Sequence, residues 1–361
     1  MKECIELAHS HNIKVYITAN IYAHNDDIDE AKKYFYELNE IKPDAVLISD
    51  IGLINVAKNI FKGVDIHLST QANTTNYESV KFYRDMGIKR VVLARELSLK
   101  EIKKIKEEVK DTVEIETFVH GAMCISYSGR CLLSAFMTGK SANLGECTHP
   151  CRWKYKLLEE EERPGEYMPV METERGTYIF NSKDLNMIEH IDELIEANID
   201  SLKIEGRMKT ALYIATVART YRKAIDDYYK DKDLYKKNIE NYKREINKCT
   251  YREWTTGFYF GKPNEDTQIY DNNTYVVGAT YYGTIDRVDN EYAYIEQKNK
   301  FSVGDSLIVM KPDFTNIKVK VLEMYDEMTN KKIESCPHSK QRIKLKLSEK
   351  VEELDILRSN D

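Results

Sequence analysis

Residues 14–50, KVYITANIYAHNDDIDEAKKYFYELNEIKPDAVLISD, decide how the rest of the chain is read. Lys14–Asn20 and Asp44–Asp50 are short apolar runs without alternation, and Asp27–Ile41 between them carries apolar residues at helical spacing. A strand without alternation is one buried on both faces, as in a parallel sheet covered by helices. Strand, helix and strand in succession imply a right-handed parallel unit. The unit then repeats. Asp65–Gln71, Arg90–Glu96 and Glu114–His120 read as further strands, with helices over Ile51–Lys58, Asn76–Met86 and Ser98–Val109. One unit every 20–30 residues or so suits a (β/α) barrel, whose chemistry sits at the carboxyl ends of the strands. The polar residues at those ends are Asn20, Asp50, Ser69-Thr70-Gln71, Arg95-Glu96 and His120. For Asp50 and Thr70, a helix-capping or loop role is the simpler expectation.

The fifth strand runs into GAMCISYSGRCLLSAFMTGKSANLGECTHPC, residues 121–151. Four of the seven cysteines fall here: Cys124, Cys131, Cys147 and Cys151. The glycines among them let the backbone turn tightly. Thiolates suit zinc, copper(I) or an iron–sulfur cluster. Zinc ribbons favour closely paired cysteines, and only the last pair, C-x3-C, has that spacing. A four-cysteine iron–sulfur cluster accepts irregular gaps. A disulfide framework needs an oxidising compartment, which nothing suggests. Cys249 and Cys336 are far away in sequence and read as non-ligands.

Beyond the cluster the pattern resumes. Residues 157–176 are acidic and turn-rich and read as a hairpin. Leu185–Ala197 reads as a helix, Asp200–Arg207 as a strand, Met208–Tyr229 as a long helix and 231–249 as a charged one. Residues 250–272 are irregular and aromatic. From Tyr275 the period changes to two, in short runs split by Gly, Asp and Asn, the pattern of a small antiparallel β-barrel. The expected domains are therefore 1–230, a (β/α) barrel with a Cys-rich loop at 121–156 and an acidic hairpin at 157–176; 231–272, a helical and aromatic linker; and 273–361, a β-barrel.

Length allows two domains. A net charge of −6 argues against a generally basic nucleic-acid coat, though not against a local basic groove. No run of 18 apolar residues occurs, and MKECIELAHSHNIK has no apolar signal core, so the chain reads as cytoplasmic with reduced thiols.

The combination FVHGAMC, SGRCLLS and GECTHPCRW, then NSKDL, then SLKIEGRMK, resembles the collagenase-like peptidase family, peptidase family U32. The segment LSAFMTGKSANLGECTHPCRWKY is most similar to its tRNA uridine hydroxylation branch, which is linked to prephenate. The resemblance implies an α/β fold, a (β/α) TIM-like barrel here lacking its first two strands, then a small C-terminal antiparallel β-barrel. It implies a [4Fe–4S] cluster on Cys124, Cys131, Cys147 and Cys151, with zinc as the alternative metal. The implied activity is oxygen-independent hydroxylation of a tRNA wobble uridine to 5-hydroxyuridine, with tRNA as partner and prephenate as precursor of the oxygen donor. Candidate catalytic residues are His120, Glu205 and Arg207. Candidate substrate-binding residues are Gln71, Arg130, Arg152, Lys203 and Lys209, with Lys154 beside them; the cations could grip a phosphate or carboxylate. The competing readings are a peptidase, for which Cys124 with His120 is the only compact nucleophile–base candidate, and a binding or electron-transfer module. The β-barrel sequence shows no clear basic–aromatic stripe for RNA.

Overall fold

A computed structural model describes residues 1–124, 126–152, 171–173, 176–178, 182–261 and 275–359. The chain divides into two compact units. The first comprises Met1–Met187, Glu193–Glu205 and Trp254–Thr274; the second comprises Ile188–Asp192, Gly206–Glu253 and Tyr275–Asp361.

The first unit is the expected α/β layer. After α1 (Lys2–Ser10) come β1 (Tyr16–Thr18), α2 (Ile28–Ile41), β2 (Ala45–Ile48), α3 (Ile51–Ile60), β3 (Asp65–Leu68), α4 (Tyr77–Asp85), β4 (Arg90–Val92), α5 (Leu99–Val109) and β5 (Glu114–Ala122). Strands β1 to β5 pair in parallel and lie side by side in chain order. That order is the one a (β/α) barrel uses, without the reversal that marks a doubly wound sheet. All four residues of β2 are buried, as the unbroken apolar run requires. The helices present one apolar stripe each: Leu99, Ile102, Ile105 and Val109 on α5 are buried. Asp50 caps α3 by accepting from the Leu53 N–H at 3.0 Å, and Thr70 donates to the Leu93 carbonyl at 3.2 Å. Both are structural, as expected.

After β5 the sequence reading and the structure part company in three places. A short helix α6 (Leu133–Thr138) lies inside the cysteine loop, and the small hairpin of β6 (Met171–Thr173) and β7 (Gly176–Tyr178) is antiparallel. The remainder of the expected hairpin lies outside the described residues. Asp184–Asn186, expected as the approach to a helix and its first turn, is strand β8, antiparallel to the tail of β5. The helix α7 follows only at Ile191–Glu196. Strand β9 (Ser201–Ile204) pairs with β5 in parallel, so β5 carries partners from two later segments. Trp254–Thr255, expected as part of a linker, is a strand parallel to β8. Its neighbour Tyr259 is buried and donates its hydroxyl to the Phe118 carbonyl at 2.6 Å. Two-residue strands carry too little periodicity to be seen in sequence.

On β3, His67 is buried at 4 % exposure and meets the Tyr16 ring edge-on at 4.9 Å. Desolvation, reinforced by the Arg90 charge, pulls its pKa down to about 4. The folded pKa lies below the unfolded value of about 6.5, so the stabilisation is complete above pH 6.5 and is lost as pH falls toward 4. Over that window the loss is about 3 kcal/mol. Urea unfolding at pH 7 and pH 4.5 should show wild type losing most of this amount in excess of His67→Phe; equal losses would contradict it.

The second unit contains α8 (Ala211–Lys230), α9 (Lys232–Ile246), the short pair β10 (Thr250–Tyr251) and β12 (Val276–Val277), and a closed antiparallel barrel. The strand Trp254–Thr255 between them is β11. The barrel strands are β13 (Tyr281–Asp289), β14 (Tyr292–Glu296), β15 (Ser306–Met310), β16 (Asn316–Asp326), β17 (Arg342–Leu347) and β18 (Ile356–Ser359), joined in the order β13-β14-β17-β16-β15-β18. In β17, Ile343, Leu345 and Leu347 alternate into the core, the period of two already visible in sequence. Helix α8 begins at Thr210, whose hydroxyl accepts from Tyr213 N–H at 3.3 Å. It packs on this barrel rather than on the parallel sheet: Leu212 joins Met310 and Ile356, and Arg219 donates to the Lys311 carbonyl at 2.7 Å. Residues 206–253 accordingly group with the barrel, which moves the division away from the expected boundaries at 230 and 272.

Candidate functional site: the cysteine loop and the strand ends

Strand β5 delivers the chain to the cysteine loop. Among the described residues none of the four loop cysteines is in a disulfide, with Cys124 exposed and Cys131, Cys147 and Cys151 half-buried. The loop is stitched to itself. The Thr148 N–H donates to Ser134 Oγ at 3.0 Å, and Thr148 Oγ1 lies 3.2 Å from Thr138 Oγ1. These bonds tie the segment before Cys151 to α6, which directly follows Cys131. Two backbone amides point at sulfur: Ser126 N–H to Cys124 at 3.5 Å and His149 N–H to Cys147 at 3.4 Å. Burial pushes the Cys124 thiol up, and the nearby Cys131 and Cys147 sulfurs push it further the same way. Three of the four sulfurs therefore share one electrostatic neighbourhood. Among the described residues no three His, Cys, Asp or Glu side chains converge tightly enough to hold a single ion. Cys249 donates to the Ile246 carbonyl and Cys336 sits in the barrel core; both are buried and apart from the loop in sequence.

Gln71 anchors this loop from below. It is buried, accepts from Asn20 Nδ2 at 2.8 Å and donates to Asn143 Oδ1 at 3.3 Å. Asn143 in turn exchanges bonds with Tyr22, accepting from its N–H at 2.9 Å and donating to its carbonyl at 3.2 Å. Gly129 lies against the same side chain, where an added Cβ would stand 2.6 Å from Gln71 Nε2. The amide of Gln71, expected to bind substrate, is thus used to join the ends of β1 and β3 to the loop. Asn143 was invisible in sequence, because nothing local marks a loop asparagine as the partner of a residue 72 positions earlier.

The other candidates separate. His120 is buried at 1 % exposure and packs its ring on Trp254, 4.9 Å between centroids. Its carbonyl accepts from the Glu205 N–H at 2.9 Å, which brings Glu205 to the end of β5. Cys124 accepts from the Ser126 N–H. Lys203, expected to grip substrate, spends its ammonium on Glu116 at 3.1 Å. Glu116 is 6 % exposed and also accepts from Arg90 and Ser201. Burial pushes its carboxyl up, but Lys203, Ser201 and Arg90 together hold it below the usual range. This is a charged layer inside the sheet. Arg130 is exposed and stacks over the Tyr22 ring at 4.3 Å. With Cys124, Ser126, Tyr127 and Phe260 it lines an open cavity of about 2000 Å³. Arg207 and Lys209 belong to the second unit, where Lys209 rests over Tyr213 and Tyr275 at 4.8 and 5.5 Å. The side chain of Arg152, and all of Lys154, lie outside the described residues.

Residues 1–269 match the family model "Peptidase family U32", and residues 278–358 match "Peptidase family U32 C-terminal domain". The chain is 35% identical to tRNA hydroxylation protein P1 of Bacillus subtilis over 99% of its own length and 83% of that protein. It is 39% identical to tRNA hydroxylation protein P of Escherichia coli over 85% of its length and 76% of that protein. A 23S rRNA 5-hydroxycytidine synthase of Escherichia coli is 27% identical over 90% of this chain and 48% of its own length.

Proposed function

Because the chain belongs to peptidase family U32, and its relatives at 35% and 39% identity are named tRNA hydroxylation proteins, we propose that it hydroxylates a tRNA. In its finer form the proposal is that a wobble uridine becomes 5-hydroxyuridine without molecular oxygen. The C5–H bond is replaced by C5–OH while a C–O bond of a small organic donor derived from prephenate breaks and is replaced by C–H, so the two electrons and the hydrogen that the base gives up are taken by the donor that yields its oxygen. The observation that carries the reading is the self-stitched loop that gathers four cysteines at the carboxyl end of β5, with backbone N–H groups aimed at Cys124 and Cys147.

That donor set fits a [4Fe–4S] cluster better than zinc. Zinc sites favour closely paired cysteines, which only Cys147 and Cys151 are, whereas a four-cysteine cluster accepts irregular gaps and takes one thiolate at each corner. Amide-to-sulfur hydrogen bonds are among the levers that tune such clusters. Cys124, Cys131, Cys147 and Cys151 would hold it, and bound there it would supply one-electron redox chemistry. The protein's own part is positioning. Gln71, Asn20 and Asn143 fix the loop. Arg130 and Tyr127 edge the cavity in which a base can reach Cys124. Exposed aromatic and guanidinium faces of this kind stack unpaired bases.

Deleting the gene from its host and measuring tRNA nucleosides by mass spectrometry tests the reading. The hydroxylated uridine should disappear, return with the wild-type gene and fail to return with Cys131→Ala. Unchanged tRNA in the deletion strain would reject it.

A further inference from the structure

Arg95 lies in the turn after strand β4, at the same end of the sheet as the cysteine loop, and its guanidinium is disposed of in an uneven way. Nη1 donates to the Ala122 carbonyl at 2.6 Å, two residues before Cys124. The plane lies on the face of Phe118, 3.8 Å from the ring centre. Nε is sealed from solvent without a hydrogen-bond partner. Among the described residues Nη2 makes no hydrogen bond, which leaves that edge of the half-buried side chain unused. Among the described residues no carboxylate forms an ion pair with Arg95, although the Glu205, Cys124 and Glu96 charges act on it from further off. A guanidinium removed this far from water without a paired anion is costly unless something completes it.

The geometry points to Arg95 as the binding residue for a small carboxylate at the sulfur-bearing end of the sheet, held through Nη2 beside Cys124. The inference rests on the hydroxylation reading for the identity of the co-substrate, and names which residue takes its acid group. A single unused N–H edge suits one carboxylate oxygen. It does not suit a phosphodiester backbone, which is bound by several cations in a groove. The Phe118 ring and the fixed Ala122 contact hold the guanidinium in place before the ligand arrives, so little side-chain entropy is lost on binding.

The test uses the full-length chain as purified, titrated calorimetrically with prephenate and separately with malonate. Wild type should bind at least one of them. Arg95→Gln should weaken that binding about tenfold or more, as expected for a charge-assisted bond to an ionised partner. Arg95→Lys should fall between, and tRNA affinity should be unchanged in both. Equal carboxylate affinity in wild type and Arg95→Gln overturns the inference. So does a parallel loss of tRNA affinity, which would assign Arg95 to phosphate. Unchanged carboxylate binding with an altered visible spectrum would also overturn it, assigning the residue to the metal centre. Should Arg95→Gln melt early, Arg95→Lys alone decides. Carboxylate binding that depends on Arg95 in a protein whose deletion leaves tRNA unmodified would sink the hydroxylation reading and leave this one standing.

Discussion

Anaerobically purified wild type should carry about four iron atoms per chain, and Cys147→Ala should reduce this to near zero. Cys147 accepts a backbone N–H from His149 and is near enough to Cys124 to act on it electrostatically. Loss of one of four thiolates removes a corner ligand, and metal binding of this kind contributes to folding as well as chemistry. The same result is expected for Cys124→Ala, Cys131→Ala and Cys151→Ala. Cys336→Ala should keep its iron, because that thiol is barrel core, while losing some stability to the cavity it leaves. Iron and sulfide assays with visible absorption read the outcome. A colourless wild type that retains one zinc through gel filtration would replace the cluster with a structural metal and remove the redox chemistry.

Gly121→Ala should destabilise the first unit on the order of 3–4 kcal/mol. Two independent costs meet there. The backbone sits at φ +117, a region that side chains rarely adopt, and an added Cβ would stand 2.5 Å from the Glu205 carbonyl oxygen and 2.7 Å from its Cβ. The contact is with backbone, which cannot swing aside, because β9 is held to β5 by its ladder and by the Glu205 N–H to His120 bond. Gly139→Ala is the internal control. Its φ is +73 but nothing lies within 4 Å of the added carbon, so only the conformational cost of about 1 kcal/mol applies. Urea unfolding of the two variants measures the difference. Similar losses would mean that β9 yields at this point and that Glu205 is less firmly placed than the close approach implies.

Both effects depend on a loop whose composition was conspicuous and whose anchoring was not. The cysteine spacing and the glycines stood out from residue types alone. Gln71 and Lys203, by contrast, are polar residues at or near strand ends, and local sequence makes them substrate contacts. The structure adds long-range partners that sequence does not show: Asn143 meets the amide of one and Glu116 the charge of the other. Arg95 shows the reverse case. It is one more polar residue at a strand end until the Phe118 face, the Ala122 carbonyl and the unused Nη2 single it out.

By itself, the sequence determined the two kinds of sheet. Burial on both faces writes an unbroken apolar run, burial on one face writes alternation, and the 3.6-residue stripe writes the helices between. It also determined that four thiols would lie within one loop, since they are close along the chain. Tertiary structure alone decided that α8 packs on the barrel, that Trp254 becomes a sheet strand against β8, and which charged groups near the strand ends are already paired. Periodicity records which face of an element is buried, whereas the identity of the partner on that face depends on contacts between residues distant in the chain.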